Sequence, residues 1–425
     1  MYFWTLALLG ASALLAADEG RLALVMRSQA DFDRVELAAE PPLRDSVQCV
    51  QSQAALLPVT SAEEAALVHY RKGYCTLAGA LVTRTAGEFA DASREFEKSL
   101  ETWPAARPRG ATKDKPPEPV SAGVRVLASI SRLETGLDRA AVDRERGALA
   151  EALGDPNCPA GVMPVNLCQA VLGAGRRWLG WIALDRDNLP EAARDFAGGG
   201  AQAWSAWVAG RLAAQAGRYA DAAAAYHKAL DSWTTSRPEP ASLVDRLIPE
   251  PDLAPAYSDL GNARIQAGDP AAAIASFDEV VKRTPSDARA IYLRGRAKEL
   301  AGRGESALED YGLASRTAFA NARNLASGEA HLYRGVLLYR RKDFERAEAE
   351  FASALNFAIP APLQADAEAW RHLAAVAGGA CGSRQFLERS LVAASADFPK
   401  DEARAAMASC SALTSAEAAG PASAQ

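Results

Sequence analysis

Four histidines, His69, His227, His331 and His372, are the residues of this 425-residue chain best suited to general acid–base work or metal ligation. They fall in four separate helical segments, and no H-E-x-x-H joins any two of them. G-x-S-x-G and G-x-x-x-x-G-K-[ST] are likewise missing from the sequence. GRGESA (302–307) has the letters of a dinucleotide-binding loop, but no strand-like run precedes it and it sits on a helical turn. Asp and Glu total 53 and are spread along helical faces, where they solvate a surface rather than converge. The sequence thus predicts no catalytic residue, metal ligand or cofactor, and the chain reads as not an enzyme. A minority enzymatic reading would put its site in the 155–168 loop or the 234–252 insertion.

Six cysteines carry the remaining covalent chemistry: Cys49, Cys75, Cys158, Cys168, Cys381 and Cys410. No C-x-x-C occurs, so zinc spacing is not met. They form three local pairs along the chain, and nearest-neighbour bridges (49–75, 158–168, 381–410) are the pairing that helical hairpins accommodate. Such bridges belong in an oxidising compartment. Residues 2–17 (YFWTLALLGASALLAA) carry no charge and end at Asp18. At 16 residues the run is short for a span, which needs about 20. It reads as a signal peptide over 1–17, leaving no integral membrane span after cleavage. The expected location is exported, periplasmic or extracellular.

The elements that must position these side chains are helices. Alanine accounts for 95 residues, whereas aromatics make up 7%. Alanine is the best helix former and lets backbones approach closely. The net charge of −6 excludes a generally basic nucleic-acid binder. The alanines also recur with a period. From 252–285 to 287–318, Gly261 maps to Gly295, Gly268 to Gly302, Ala273 to Ala307 and Phe277 to Tyr311, each 34 residues on. Gly335, Phe344, Ala347 and Phe351 continue the pattern after a six-residue insertion. Gly210, Gly217, Tyr219, Ala222 and Tyr226 precede it. Weaker copies lie over 178–196, 62–104 (with Ala80 where glycine is usual) and 365–395. A small residue such as Gly295 lets the first helix touch the second, and Gly302 ends the first helix cheaply.

This grammar resembles the tetratricopeptide repeat, a 34-residue helix–turn–helix unit. The resemblance implies an all-α fold, an α-solenoid of stacked hairpins wound as a right-handed superhelix. The expected organisation is a signal peptide (1–17) and N-terminal helices with one degenerate unit (18–104). A Pro-rich linker (105–119), a helical array (120–410) and a disordered tail (411–425) follow. The array includes an extra hairpin over 121–153 and a capping helix over 401–410.

The resemblance also implies a concave groove lined by the first helix of each unit, at unit positions 2, 5, 9, 12 and 13. Carried onto this chain, those positions give Arg177 and Trp181, then Trp204, Trp207 and Arg211. Asn262 follows, then Arg289, Tyr292 and Arg296, then Tyr339 and Arg340. The groove is expected to be aromatic and cationic, with arginine suited to bidentate carboxylate recognition. The implied partner is a protein or peptide segment and not nucleic acid; oligomeric state is open. An alternative makes the tryptophans a stacking platform for an envelope glycan, which requires a flat, exposed pair.

Overall fold

A computed structural model describes residues 21–103, 122–154, 158, 163–235, 242–247, 251–318, 325–357 and 359–418, and every regular element among them is helical. The signal-peptide and linker expectations lie outside the described residues. The chain divides into two compact units, one of residues 1–209 with 231–251 and the other of 210–230 with 252–425.

The first unit begins with α1 (21–36). Helices α2 (Leu43–Ala55), α3 (Ala62–Thr83), α4 (Ala86–Thr102), α5 (Ala122–Leu133), α6 (Arg139–Gly154), α7 (Val165–Asp185) and α8 (Leu189–Gly198) follow. Successive helices pack as neighbours from α2 through α5, α5 receives both α6 and α7, and α7 pairs with α8. The division runs through α9 (Gln202–Gln215) and α10 (Tyr219–Thr234), and a 3₁₀ turn at Leu243–Arg246 belongs to the first unit. The second unit continues with α11 (Leu253–Gln266), α12 (Pro270–Arg283), α13 (Ala288–Leu300), α14 (Gly304–Ala318), α15 (Leu325–Arg340), α16 (Phe344–Ala354) and α17 (Ala361–Ala377). Each packs on the next, and α17 then receives α18 (Arg384–Ser390) and α19 (Lys400–Ala418). Helix α19 runs on into the stretch expected to be a disordered tail.

One contact builds the hairpins. A Cβ added at Gly180, Gly210, Gly261, Gly295 or Gly335 would lie 2.6–2.9 Å from the ring sixteen residues later: Phe196, Tyr226, Phe277, Tyr311 or Phe351. Only glycine lets the two helices close over that ring. Four residues before each ring stands a fully buried alanine: Ala192, Ala222, Ala273, Ala307 and Ala347. Seven residues after each glycine the chain turns with φ between 57° and 82°, at Asp187, Gly217, Gly268, Gly302 and Lys342. The paired bonds of a Schellman cap close these turns, as in Gly268 N–H to Ile265 O at 3.0 Å and Asp269 N–H to Arg264 O at 2.8 Å.

The α3/α4 hairpin corrects one expectation. Gly73, not Ala80, lies under Phe96, at 2.9 Å from the ring to an added Cβ. Its turn residue is Arg84, with φ 56°. Eleven residues now separate glycine from turn and twelve separate turn from ring, against seven and nine elsewhere. Each arm is longer by about one helical turn, so the crossing moves away from the turn while keeping its chemistry.

The six cysteines form the three expected bridges. Cys49–Cys75 joins α2 to α3, Cys158–Cys168 closes a loop onto α7, and Cys381–Cys410 ties the turn after α17 to α19. No helix among the described residues is long and apolar enough to cross a membrane.

Candidate functional site

The histidines lie on different hairpins. His69 Nδ1 meets Glu95 Oε2 at 2.7 Å, and His331 Nδ1 meets Glu350 Oε2 at 2.7 Å, so each ties a first helix to its second. The His372 ring stacks on Phe386, and burial with the nearby Arg371 charge lowers its value. No group of three metal-ligating side chains occurs among the described residues.

In the first unit the expected groove positions are engaged with one another and with the chain itself. Arg177 is half-buried on α7 and donates to the carbonyls of Gly199 at 3.2 Å and Val244 at 3.3 Å. Burial pulls its value below the ordinary guanidinium range, and the Asp245 carboxylate opposes that. Trp181 packs edge-on against buried Trp178, ring centroids 5.7 Å apart. Trp204 is buried and stacks on Phe196 at 5.3 Å. Trp207 and Trp233 meet it edge-on at 5.6 and 5.2 Å, and each other at 6.1 Å. The tryptophans thus form an edge-to-face triangle, in which rings satisfy one another's quadrupoles. The sequence reading missed Trp233, whose signal was its place on the second helix of the same hairpin.

In the second unit three of the expected residues, Tyr292, Arg296 and Arg340, join a connected cluster on α13, α14 and α15. The Arg296 guanidinium lies 3.9 Å over the Tyr333 ring. Its Nη1 pairs with Glu299 Oε2 at 2.6 Å. The Tyr311 hydroxyl donates to the same oxygen at 2.7 Å, and Arg340 Nη1 reaches Glu299 Oε1 at 3.2 Å. Tyr292 is buried and lies between Tyr311 and Tyr333, at 6.1 and 5.9 Å. Burial works against the Arg296 cation, but Tyr311 and Glu299 hold it charged, and its value ends above the ordinary range. Around this cluster Arg289 and Arg340 are exposed. Arg289 stands in the first turn of α13, its backbone N–H donated to Asp287.

Tyr339 and Arg340 line a cavity of about 400 Å³ with Lys342, Trp370, Asp397 and Glu402. The Tyr339 hydroxyl donates to Glu402 Oε1 at 2.9 Å. Trp370 is the hub of this end, stacked on Phe351 and edge-on to Tyr339 and Phe398. Arg211 and Asp259 both lie within electrostatic reach of Tyr226, and Asn262 is half-buried on α11. Two cluster members escaped the sequence reading. Glu299 occupies the same unit position as Tyr339 but was passed over in a groove expected to be cationic. Tyr333 lies one residue beyond the position that a 40-residue step from Tyr292 reaches.

Repeated glycine–ring hairpins, stacked first helix to second within each unit, define an α-solenoid of helix–turn–helix repeats. A tetratricopeptide-repeat profile matches residues 206–243, 258–323 and 314–364. Those stretches of the chain carry tetratricopeptide repeats. Among solved structures it is similar to the C-terminal part of a tetratricopeptide-repeat protein from Cytophaga hutchinsonii, at 13% identity and TM-score 0.40 over 66% of this chain and 93% of that one. It is also similar to yeast Tom70, at 12% identity and TM-score 0.35 over 94% and 96%. The MamA protein shows 16% identity and TM-score 0.35 over 46% and 92%. No curated protein sequence matches the chain.

Proposed function

We propose that this protein is a non-catalytic scaffold that holds an acidic peptide or protein segment along the first-helix face of its second unit. The observation that carries this reading is the α13/α15 cluster. Arg296 is fixed flat on Tyr333 by Glu299, and Glu299 is shared with Arg340 and the Tyr311 hydroxyl. A cation locked in one orientation loses little rotamer freedom on binding. Two arginines share one carboxylate, and exposed Arg289 adds a further positive charge. A carboxylate-bearing segment fits such a face through bidentate guanidinium bonds. The first unit's tryptophans pack edge-to-face on one another, and that packing supports the peptide reading over a flat platform for sugar.

We further read the protein as exported to the periplasm or beyond. Three disulfides that hold helices and loops together, and the uncharged stretch 2–17, support this.

The test is fluorescence anisotropy with a labelled Asp/Glu-rich peptide against the parent chain, Arg289→Ala and Arg340→Ala. Each variant is expected to bind at least about fivefold more weakly, equivalent to roughly 1 kcal/mol. Unchanged affinity in both would remove the assignment to this face.

A further inference from the structure

In the first unit, part of the chain's own insertion packs against α7. Between α10 and α11 the stretch Ser242–Leu247 (SLVDRL) forms a single 3₁₀ turn. The turn is closed from within, since the Ser242 N–H and hydroxyl both donate to Asp245 Oδ2, at 3.0 and 3.2 Å. Its three aliphatic side chains, Leu243, Val244 and Leu247, have no solvent exposure. What grips the turn is α7, the first helix of a repeat. Arg177 donates to the Val244 carbonyl, and the Trp178 indole N–H donates to the Leu247 carbonyl at 2.8 Å.

Leu243, Val244 and Leu247 pack into the first unit's hydrophobic core, and three features let the turn be read as a ligand held there. The bonds from α7 run from side chains to backbone carbonyls, which any peptide supplies. Arg177 occupies an expected groove position, is half-buried, and gives its hydrogen bonds to backbone carbonyls. The fit is also incomplete. The Tyr74 hydroxyl is buried with no hydrogen-bond partner among the described residues, although Asp245 lies within electrostatic reach of it. An unmet buried hydroxyl is costly, and a ligand with an acceptor at that point gains a bond that the resident turn forgoes.

We propose that the α7 face of the first unit is a binding site for an aliphatic peptide segment of a partner protein, and that residues 242–247 occupy it in cis as a competing internal ligand. The partner carries large aliphatic side chains at positions 1, 2 and 5 of a tight turn, the spacing of Leu243, Val244 and Leu247. Its chemistry is unlike the acidic segment assigned to the second unit, so the two sites are read independently.

The test uses the full chain and a labelled synthetic peptide, ASLVDRLI, with a scrambled peptide as control. Replacing the resident contacts (Leu243→Asp, Val244→Asp and Leu247→Asp together) is expected to tighten peptide binding at least tenfold over the parent chain. Adding Arg177→Ala to that background is expected to remove the gain. A folded triple variant that binds no tighter than the parent overturns the proposal. Should the triple variant fail to fold, hydrogen exchange on the parent decides. The hydrogen-bonded amides of Asp245 and Leu247 are expected to exchange at least about tenfold faster than those in the middle of α7, through local opening. Equal protection would make the turn an integral part of the core and overturn the proposal. A solution mass of two chains for the parent, lost in the triple variant, would assign the face to a second copy's turn and likewise overturn it.

Discussion

Arg177 in the first unit and Arg296 in the second both stand at expected groove positions, and they have opposite electrostatic fates. Arg177 gives its bonds to backbone carbonyls, and burial lowers its value. Arg296 lies on a tyrosine ring beside a shared carboxylate, and its value rises. The hairpin that presents each is the same, a glycine under a ring sixteen residues on. The repeat therefore sets where a groove side chain stands, while its partners decide whether it recognises backbone or charge. On the proposed reading, that difference lets one architecture offer an aliphatic face and an acidic-segment face in a single chain.

The largest expected separation between the units comes from reduction. The first unit holds two bridges, closing separations of 26 and 10 residues, and the second holds one, closing 29. On loop-closure entropy alone the losses are about 6 kcal/mol for the first unit and about 4 kcal/mol for the second. Peptide-resolved hydrogen exchange with and without reductant is expected to show protection falling further in α2, α3 and α7 than in α11–α16. A larger fall in the second unit would break the contrast.

Next in size is Trp178→Phe. An aromatic ring is kept, but the fused pyrrole ring is lost and the Leu247 carbonyl loses its donor at a fully buried position. Leaving that carbonyl unpaired costs roughly 1–3 kcal/mol. Protection is expected to fall at 242–247 and across α7, with α13 and α15 unmoved.

A smaller effect separates the units by pH. Burial tends to raise Glu95, but hydrogen bonds from His69, Lys98 and Lys72 win and hold it down to about 2 against an ordinary 4.5. A depressed carboxyl contributes stability that is complete above its unfolded value and lost as pH falls through its folded one. The first unit is thus expected to weaken as pH drops from about 5 to about 2, by roughly 1–2 kcal/mol from this group after solvent screening. Glu95→Gln is expected to flatten that limb in acid unfolding followed by circular dichroism. An unchanged slope would detach the group from the first unit's acid sensitivity.

Much of this was legible in the sequence because the repeat is local. A glycine, its ring and its turn residue lie within about 16 positions, so Gly261, Phe277 and Gly268 announce a hairpin without tertiary knowledge. The α3/α4 hairpin misled at Ala80 because a turn added to both arms keeps the pattern of rings and alanines while moving the glycine to Gly73. Glu299 was hidden by the expectation of a basic face, although its position 12 matched Tyr339. The 242–247 turn could not be read at all. Its flanks are rich in proline, which marks an insertion, and its anchors at Arg177 and Trp178 lie 67 and 69 residues away. No local periodicity encodes a contact of that range.

The smallest effect on stability is also the sharpest test of the contrast. Arg289 is exposed in the first turn of α13, and its backbone N–H donates to Asp287. Truncating it to alanine leaves that bond and the Arg296–Tyr333–Glu299 cluster in place, so stability is expected to move by less than about 0.5 kcal/mol. A positive charge at the end of the cluster still contributes to an acidic ligand through direct bonds and through steering, and the steering part weakens with salt. Arg289→Ala is therefore expected to weaken the acidic peptide most at low ionic strength, with the gap to the parent narrowing as salt rises. The same substitution is expected to leave binding of the aliphatic peptide to the first unit unchanged. Equal loss for both peptides would mean that Arg289 acts through the fold, and the division of labour between the two faces would fall with it.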